Sequence, residues 1–313
     1  MTMRQVIEGH CHLASTKAVP EAFFSGIASN MVAALSAQGK AADSSKIMEM
    51  LKAQHGDHNG DRLVAEIRRA GIQHGVLLAP DFSFALEKEP GYEKLISHHV
   101  EVCKRHDGVF TLFGGVDPRW GTSAIDYFES QVRVGNIKGL KLYPPCGYSP
   151  SDKICYPLYE VCQKYRIPVL YHTGPTSPAL TFKYADPFLI DEAAKNFSDV
   201  IFIAAHGAIN FWREHLMLAK FRPNIYLDIS GFPAIVGEGG WKKHLRNLFL
   251  EGLNHKIIYG TDWPIFRSNG SMKNILNMFL GENGVFENVS ERDVALIMNE
   301  NMNKILNNRV SRY

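Results

Sequence analysis

Two histidines separated by one residue, His10 and His12, close an apolar run near the start of the chain. Side chains alternate between the faces of a strand, so both imidazoles point one way and Cys11 points the other. Three more ionisable residues end apolar runs much later: His172 in PVLYHTG, His206 in FIAAHGA and Asp262 in IIYGTDWP. An ionisable side chain at the end of a buried strand is costly unless it is paired or bound to metal. Any one of them alone reads equally well as a helix cap or a satisfied core residue. Five in this order read as imidazoles and a carboxylate converging from separate strands, a ligand set for one divalent metal ion, with zinc first and manganese second.

Such a site needs strands that end at the same place. Eight apolar, β-branched runs are candidates: Arg4 to Cys11, His74 to Ala79, Val109 to Val116, Ile137 to Tyr143, Pro168 to His172, Val200 to Ala205, Asn224 to Ile229 and Lys256 to Thr261. Most are continuous, as strands of a parallel sheet covered on both faces are. Amphipathic stretches lie between them. Leu63, Ile67 and Ala70 share a face, as do Leu95, Ile96, His99 and Cys103. Asp186-Pro187 opens a helix, and Ser290 with Asp293 opens the last one. The alternation predicts an α/β fold, a (β/α)8 TIM barrel, whose active sites sit at the C-terminal ends of the strands. A doubly wound open sheet is the runner-up, but the first strand ends in His-Cys-His where that fold places a Gly-rich phosphate turn.

The 313 residues exceed a minimal barrel, and the excess lies in one place. The connection from residue 13 to residue 70 is far longer than ordinary βα loops. Ala22 to Gln38 and Ser44 to Gln54 look helical within it. An insertion there makes a lid or substrate wall, or a dimerisation element. No linker or repeat divides the chain, so residues 1–313 are expected to be one domain.

A net charge of +2 gives no footprint for nucleic acid or an anionic membrane surface. No apolar run is long enough for a membrane span, and Glu8 and His10 interrupt what would be a signal-peptide core. The five cysteines, an odd count without a CxxC pair, read as reduced thiols of a cytoplasmic protein. A small-molecule substrate is the expected partner, with a homodimer the expected assembly. Of the 13 histidines, most are background: His98, His99, His106, His215 and His244 fall on helices read as surface helices, His74 and His255 precede strands, and His55 and His58 read as solvated loop.

The pattern of HxH on the first strand, His after the fifth and sixth and Asp after the eighth resembles the amidohydrolase superfamily. KGLKLYP at 138–144, PVLYHTG at 168–174, AAHGA at 204–208 and YGTDWP at 259–264 look like its amidohydrolase-related branch, which holds lactone and amide hydrolases beside non-oxidative decarboxylases of the aminocarboxymuconate-semialdehyde type. The resemblance implies His10, His12, His172 and Asp262 as metal ligands. It implies His206 as a substrate-polarising group and Asp262 as the proton carrier. Where the family usually has Asp two residues before the HxH, this chain has Glu8. Lys141 ends the fourth strand, where binuclear relatives carry a carboxylated lysine. Here it is read, with Tyr143 on the same face, as lining the pocket and binding a substrate carboxylate or oxyanion. Arg119, Trp120, Trp263 and Arg267 are further candidate substrate contacts.

The expected chemistry is hydrolysis of a lactone, ester or amide by a metal-activated water. Asp262 would move the proton and His206, neutral and donating, would stabilise the oxyanion. Decarboxylation of an aromatic or unsaturated acid uses the same residues and is the alternative. An inactive binding barrel would show a lost ligand or acid–base residue, and none is lost.

Overall fold

A computed structural model describes residues 5–265, 267 and 270–307. Eight strands run in chain order, each parallel to the next: β1 (Ile7–His12), β2 (His74–Ala79), β3 (Phe110–Gly114), β4 (Gly139–Leu142), β5 (Val169–His172), β6 (Phe202–Ala205), β7 (Ile225–Asp228) and β8 (Ile257–Ile258). Arg4, expected to open β1, lies outside the described residues. The ends of the sheet meet through main-chain bonds from Gly9 N–H to Tyr259 O at 2.9 Å and from His12 N–H to Trp263 O at 2.7 Å, so the sheet curls into a nearly closed (β/α)8 barrel. β8 is far shorter than the Lys256–Thr261 run suggests. The Tyr259 N–H leaves the ladder for Ile297 O, at 3.0 Å, in the C-terminal segment.

Among the described residues thirteen α-helices accompany the strands. α1 (Glu21–Ala37), α2 (Ser44–Gln54) and α3 (Asp61–Ala70) lie between β1 and β2, then α4 (Ser83–Leu86) and α5 (Tyr92–Arg105) before β3. α6 (Thr122–Arg133), α7 (Tyr156–Tyr165), α8 (Asp191–Asn196), α9 (Trp212–Phe221) and α10 (Trp241–Phe249) each precede the next strand. α11 (Met272–Leu280), α12 (Glu291–Ala295) and α13 (Asn301–Leu306) follow β8. Among the described residues no helix is long and apolar enough to cross a membrane.

The strands alternate between two cores. Val76, Leu78, Phe113, Leu170, Ile203 and Ile258 fill the barrel, closed at its N-terminal end by Met302 and Ile305 of α13. Leu77, Leu112, Leu140, Leu142, Val169 and Leu227 point outward against the helices. Both faces are buried, which is why the strands read as unbroken apolar runs.

The 13–70 connection resolves into two parts. α3 is the barrel's own first helix: Leu63, Val64 and Ile67 are buried, and Glu66 accepts the Met272 N–H that opens α11, at 3.0 Å. The inserted part is therefore residues 13–60. Its helices α1 and α2 share a small core of Phe24, Ala28, Ile47 and Leu51, and Asp43 caps α2 through the N–H of Ser45 at 2.9 Å.

Two helices expected at the surface bury a histidine each. His99 on α5 and His215 on α9 are 1% and 0% exposed. Burial pulls both imidazoles down to about 4. The folded state thus refuses a proton that the unfolded chain takes up near pH 6.5. Stability should be full above pH 6.5 and fall as pH drops toward 4, with each group contributing up to about 1.4 kcal/mol per pH unit in that window. Urea unfolding of wild type and His215→Gln at several pH values between 4 and 8 checks this. The variant should lose part of the slope, and a parallel pH dependence would refute it.

Candidate active site

His10 and His12 face the barrel interior, yet so does Ile7, and a regular strand of period two cannot aim residues 7 and 12 the same way. The strand solves this with a bulge. Glu8 pairs with Gly75 while Cys11 pairs with Leu77, so three steps on β1 match two on β2. Glu8 pins the irregular segment: its Oε1 accepts the N–H of His10 at 3.0 Å and of Thr261 at 2.7 Å. Burial, opposed by those two N–H groups, pushes its carboxyl up to about 8. The acidic position before the HxH thus ties β1 to the segment after β8 and is not grouped with the metal-competent atoms.

His206 and Asp262 each sit one step or a few beyond a strand with a left-handed backbone, φ 60° and 58°. This region is disfavoured for residues with a Cβ and persists where the surroundings impose it. Here the His206 N–H donates to Asp228 Oδ1 and the Asp262 N–H to His10 O, both at 2.8 Å. Gly231, with φ 83°, passes beneath the His206 ring, where a Cβ would lie 3.0 Å from Nδ1.

Asp228, at the end of β7, is the organiser that the sequence reading missed. Oδ2 accepts from His10 Nδ1 at 2.8 Å. Oδ1 accepts the N–H groups of His206 and Ser230 and the Ser230 hydroxyl. Its signal was present, since Asp228 also ends a buried apolar run, IYLD.

These bonds decide which ring nitrogens carry protons. Carboxylates and carbonyls only accept, so His10 Nδ1 donates to Asp228, and His12 Nδ1 donates to Leu78 O at 3.0 Å. Both Nε2 atoms are left with lone pairs, and they face each other at 3.2 Å. Asp262 Oδ1 lies 3.4 and 3.3 Å from them. Three acceptors converging with no proton to share repel one another, and a cation between them removes the conflict. Burial lowers the His10 pKa well below normal, which favours the neutral form a ligand needs. The donor set therefore fits a divalent ion on His10, His12 and Asp262, and the hydrogen bond from His10 to Asp228 is the usual support of such a ligand.

His206 Nε2 stands 3.9 Å from Asp262 Oδ2. Its Nδ1 lies 2.9 Å from the Ser230 hydroxyl, whose proton goes to Asp228. Nδ1 therefore carries the hydrogen, and a neutral His206 presents an accepting Nε2; it donates there only when protonated. This corrects the expectation of a neutral donor.

His172 is close by but outside the group of atoms that lie within 4.8 Å of one another. Its ring stacks on Tyr143, centroids 4.1 Å apart, and its Nε2 donates to Pro175 O at 3.0 Å, which leaves Nδ1 as the free nitrogen. Lys141 pairs with Leu170, one layer deeper than His172. Its Nζ is buried with no partner among the described residues, and burial, opposed by Asp228 and Asp262, pulls it down to about 8.

A cavity of about 310 Å³ opens over the cluster, lined by His12, His172, His206 and Asp262 at its polar part. Leu78, Phe82 and Tyr143 come from the barrel, and Leu13, Ala18, Val19, Phe23, Ile27 and His55 from the insertion, which is thus a wall of the site. Among the described residues no lysine or arginine lines it. Arg119, read as a substrate contact, is held elsewhere: Asp117 grips its guanidinium at 2.6 and 2.8 Å, and Cys146 O accepts from it at 3.0 Å. Trp263 packs against the outer core while the next two residues, Pro264 and Ile265, face the cavity. Trp120 packs edge-on against Phe84, and Arg267 donates to Gln54 O at 3.0 Å, tying the insertion to the segment after β8.

Several solved structures share this architecture. Dihydroxybenzoic acid decarboxylase from Polaromonas sp. JS666, with bound manganese and an inhibitor, superposes with TM-score 0.62 at 18% identity, covering 97% of each chain. 5-Carboxyvanillate decarboxylase from Novosphingobium aromaticivorans, also with manganese, gives TM-score 0.65 at 13% identity over 97% of each chain. A putative 2-pyrone-4,6-dicarboxylic acid hydrolase from Pseudomonas putida gives 0.62 at 15%, covering 98% of this chain and 99% of its own. At such identities the likeness is one of fold. No curated protein matches the sequence significantly. The amidohydrolase family model matches residues 7–307, nearly the whole chain. This chain belongs to the amidohydrolase family.

Proposed function

We propose that the protein is a metal-dependent decarboxylase of a small aromatic or unsaturated carboxylic acid. The observation that carries this reading is the charge of the cavity wall. Hydrolysis by a metal-activated water was the first expectation, with Lys141 and Arg119 expected to contact a substrate carboxylate in either reading. Neither lines the cavity, and among the described residues no other lysine or arginine does. A substrate carboxylate then has one favourable place, the cluster of His10, His12 and Asp262 with His172 beside it. A carboxylate held there is the reacting group, not a distant handle. The apolar wall, in which Phe23 of the insertion packs on Phe82 (centroids 5.0 Å apart) and Phe82 on Tyr143, with Ile27 also lining the cavity, suits an unsaturated ring. The 5-carboxyvanillate and dihydroxybenzoic acid decarboxylases of the same fold hold manganese, so manganese stands beside zinc as the ion proposed.

A divalent ion bound there supplies positive charge that holds the acid head and stabilises charge developing beside it. The residues do the rest. His10, fixed by Asp228, and His12, fixed by Leu78 O, keep their Nε2 atoms aimed at one point. The bond to the carboxylate carbon breaks, its electron pair stays on the substrate carbon, and a proton carried by the Asp262–His206 pair reaches that carbon. The apolar wall excludes water from the carbanion-like centre.

Hydrolysis remains the second reading, because the same pair, 3.9 Å apart, can take a proton from an attacking water. A product assay separates the two. Metal-loaded protein is incubated with aromatic acids, lactones and amides in heavy-oxygen, deuterated water. The proposal expects CO2 with one deuterium on the product carbon and no heavy oxygen in the organic product. Heavy oxygen in the product without CO2 would establish hydrolysis instead.

A further inference from the structure

We infer that His55 and His99 form the selective part of the cavity, an acceptor pair that recognises a substrate carrying a neutral hydrogen-bond donor, a hydroxyl or amino group, in place of a second anionic group. The inference rests on the reading above for the acid head only. His55 ends α2 in the insertion and His99 lies mid-helix on α5, yet both line the cavity. Each Nδ1 turns back to the carbonyl four residues earlier, Leu51 O and Leu95 O, at 2.8 Å in both cases. A carbonyl only accepts, so each Nδ1 carries the ring proton and each Nε2 keeps a lone pair. Neither Nε2 has a protein partner among the described residues. The His55 ring is held edge-on against Phe24, centroids 4.6 Å apart, so the insertion's small core sets its orientation. Burial lowers both imidazoles, His99 to about 4, and keeps them neutral acceptors at neutral pH.

A half-buried acceptor without a partner favours a ligand that brings a donor and disfavours one that brings only another acceptor. With no lysine or arginine among the described residues of the wall, a second carboxylate would find no cationic partner there. Of the other polar lining groups, the Asn210 amide also faces the cavity, while two hydroxyls are engaged by the protein. The Tyr143 hydroxyl meets Thr176 Oγ1 at 3.0 Å, and the Ser177 hydroxyl donates to Phe23 O at 2.8 Å.

The test uses the full-length metal-loaded protein and four probes: benzoate, its hydroxy isomers, its methoxy isomers and isophthalate. Binding is measured by calorimetry and turnover by CO2 release, in wild type, His99→Phe and His55→Phe. At least one hydroxybenzoate should bind about 10- to 100-fold more tightly than benzoate or its methoxy analogue, and isophthalate should bind no better than benzoate. In each variant that preference should shrink while benzoate affinity holds, and His99→Gln, which restores an acceptor, should recover part of it. His55→Phe lies outside the barrel core, so it keeps the test open if His99→Phe fails to fold. Wild type that does not distinguish hydroxy from methoxy probes, a preference that survives both variants, or tighter binding of isophthalate would overturn the inference. Selectivity without CO2 release would overturn the proposed reaction and leave the inference standing. Absence of binding by every acid would overturn both.

Discussion

Asp262→Asn is expected to lower turnover by about 10³- to 10⁴-fold while leaving the fold intact. Proton transfer by a placed side chain contributes about 10²- to 10⁴-fold, and this carboxylate also faces the two free imidazole nitrogens. The amide keeps the volume and the main-chain bond from the Asp262 N–H to His10 O. It loses the negative charge, and it can place an NH2 group against the Nε2 atoms of His10 and His12, 3.4 and 3.3 Å away in the native site. Metal affinity should fall along with turnover, so rates are compared at saturating metal. Circular dichroism and thermal unfolding check the fold. Turnover within a factor of ten of wild type would remove Asp262 from the role of proton carrier.

Asp228→Asn should weaken metal binding by about 10- to 100-fold, the usual cost of losing the partner that orients a ligating histidine. The reason lies in the tautomer. Asp228 Oδ1 accepts the N–H groups of His206 and Ser230 and the Ser230 hydroxyl, so the amide oxygen of Asn must stay there. The NH2 group then faces His10 Nδ1, donor against donor. His10 escapes by moving its proton to Nε2, the atom that must be free for a ligand. Asp228→Ala adds a stability loss of about 3–5 kcal/mol, because it leaves several buried donors unpaired. Metal titration against a competing chelator, with urea unfolding of both variants, measures the two effects separately. Wild-type affinity in Asp228→Asn would show that His10 does not depend on this partner.

The barrel was legible because its strands are buried on both faces and so read as eight continuous apolar runs. The strand ends were legible too, since an ionisable residue closing such a run has no cheap solvent to face. What stayed hidden follows from geometry that spacing does not encode. The bulge between Glu8 and Cys11 is a register shift, invisible until β1 is set beside β2. His99 shared the apolar face with Leu95, Ile96 and Cys103, a pattern that already argued for burial; treating the helix as a surface element overrode it. Arg119 looked free in sequence because its partner Asp117, two residues away, is bent back onto it by the 3-10 turn at Pro118–Trp120. The charge of the cavity wall could not be read at all. It depends on which side of β4 and which layer Lys141 occupies, and on the inserted helices that supply the opposite wall.

A divalent ion on His10, His12 and Asp262 is the centre of the proposed chemistry. Elemental analysis of wild type and His12→Ala, prepared identically and passed through a desalting column, tests it most directly. Close to one divalent ion per chain in wild type, less than about a tenth of that in His12→Ala, and activity lost on chelation and restored by manganese or zinc are the expected results. A wild-type preparation that is fully active after chelation with no metal detectable, or a His12→Ala protein that keeps its full metal content, would contradict the site described here.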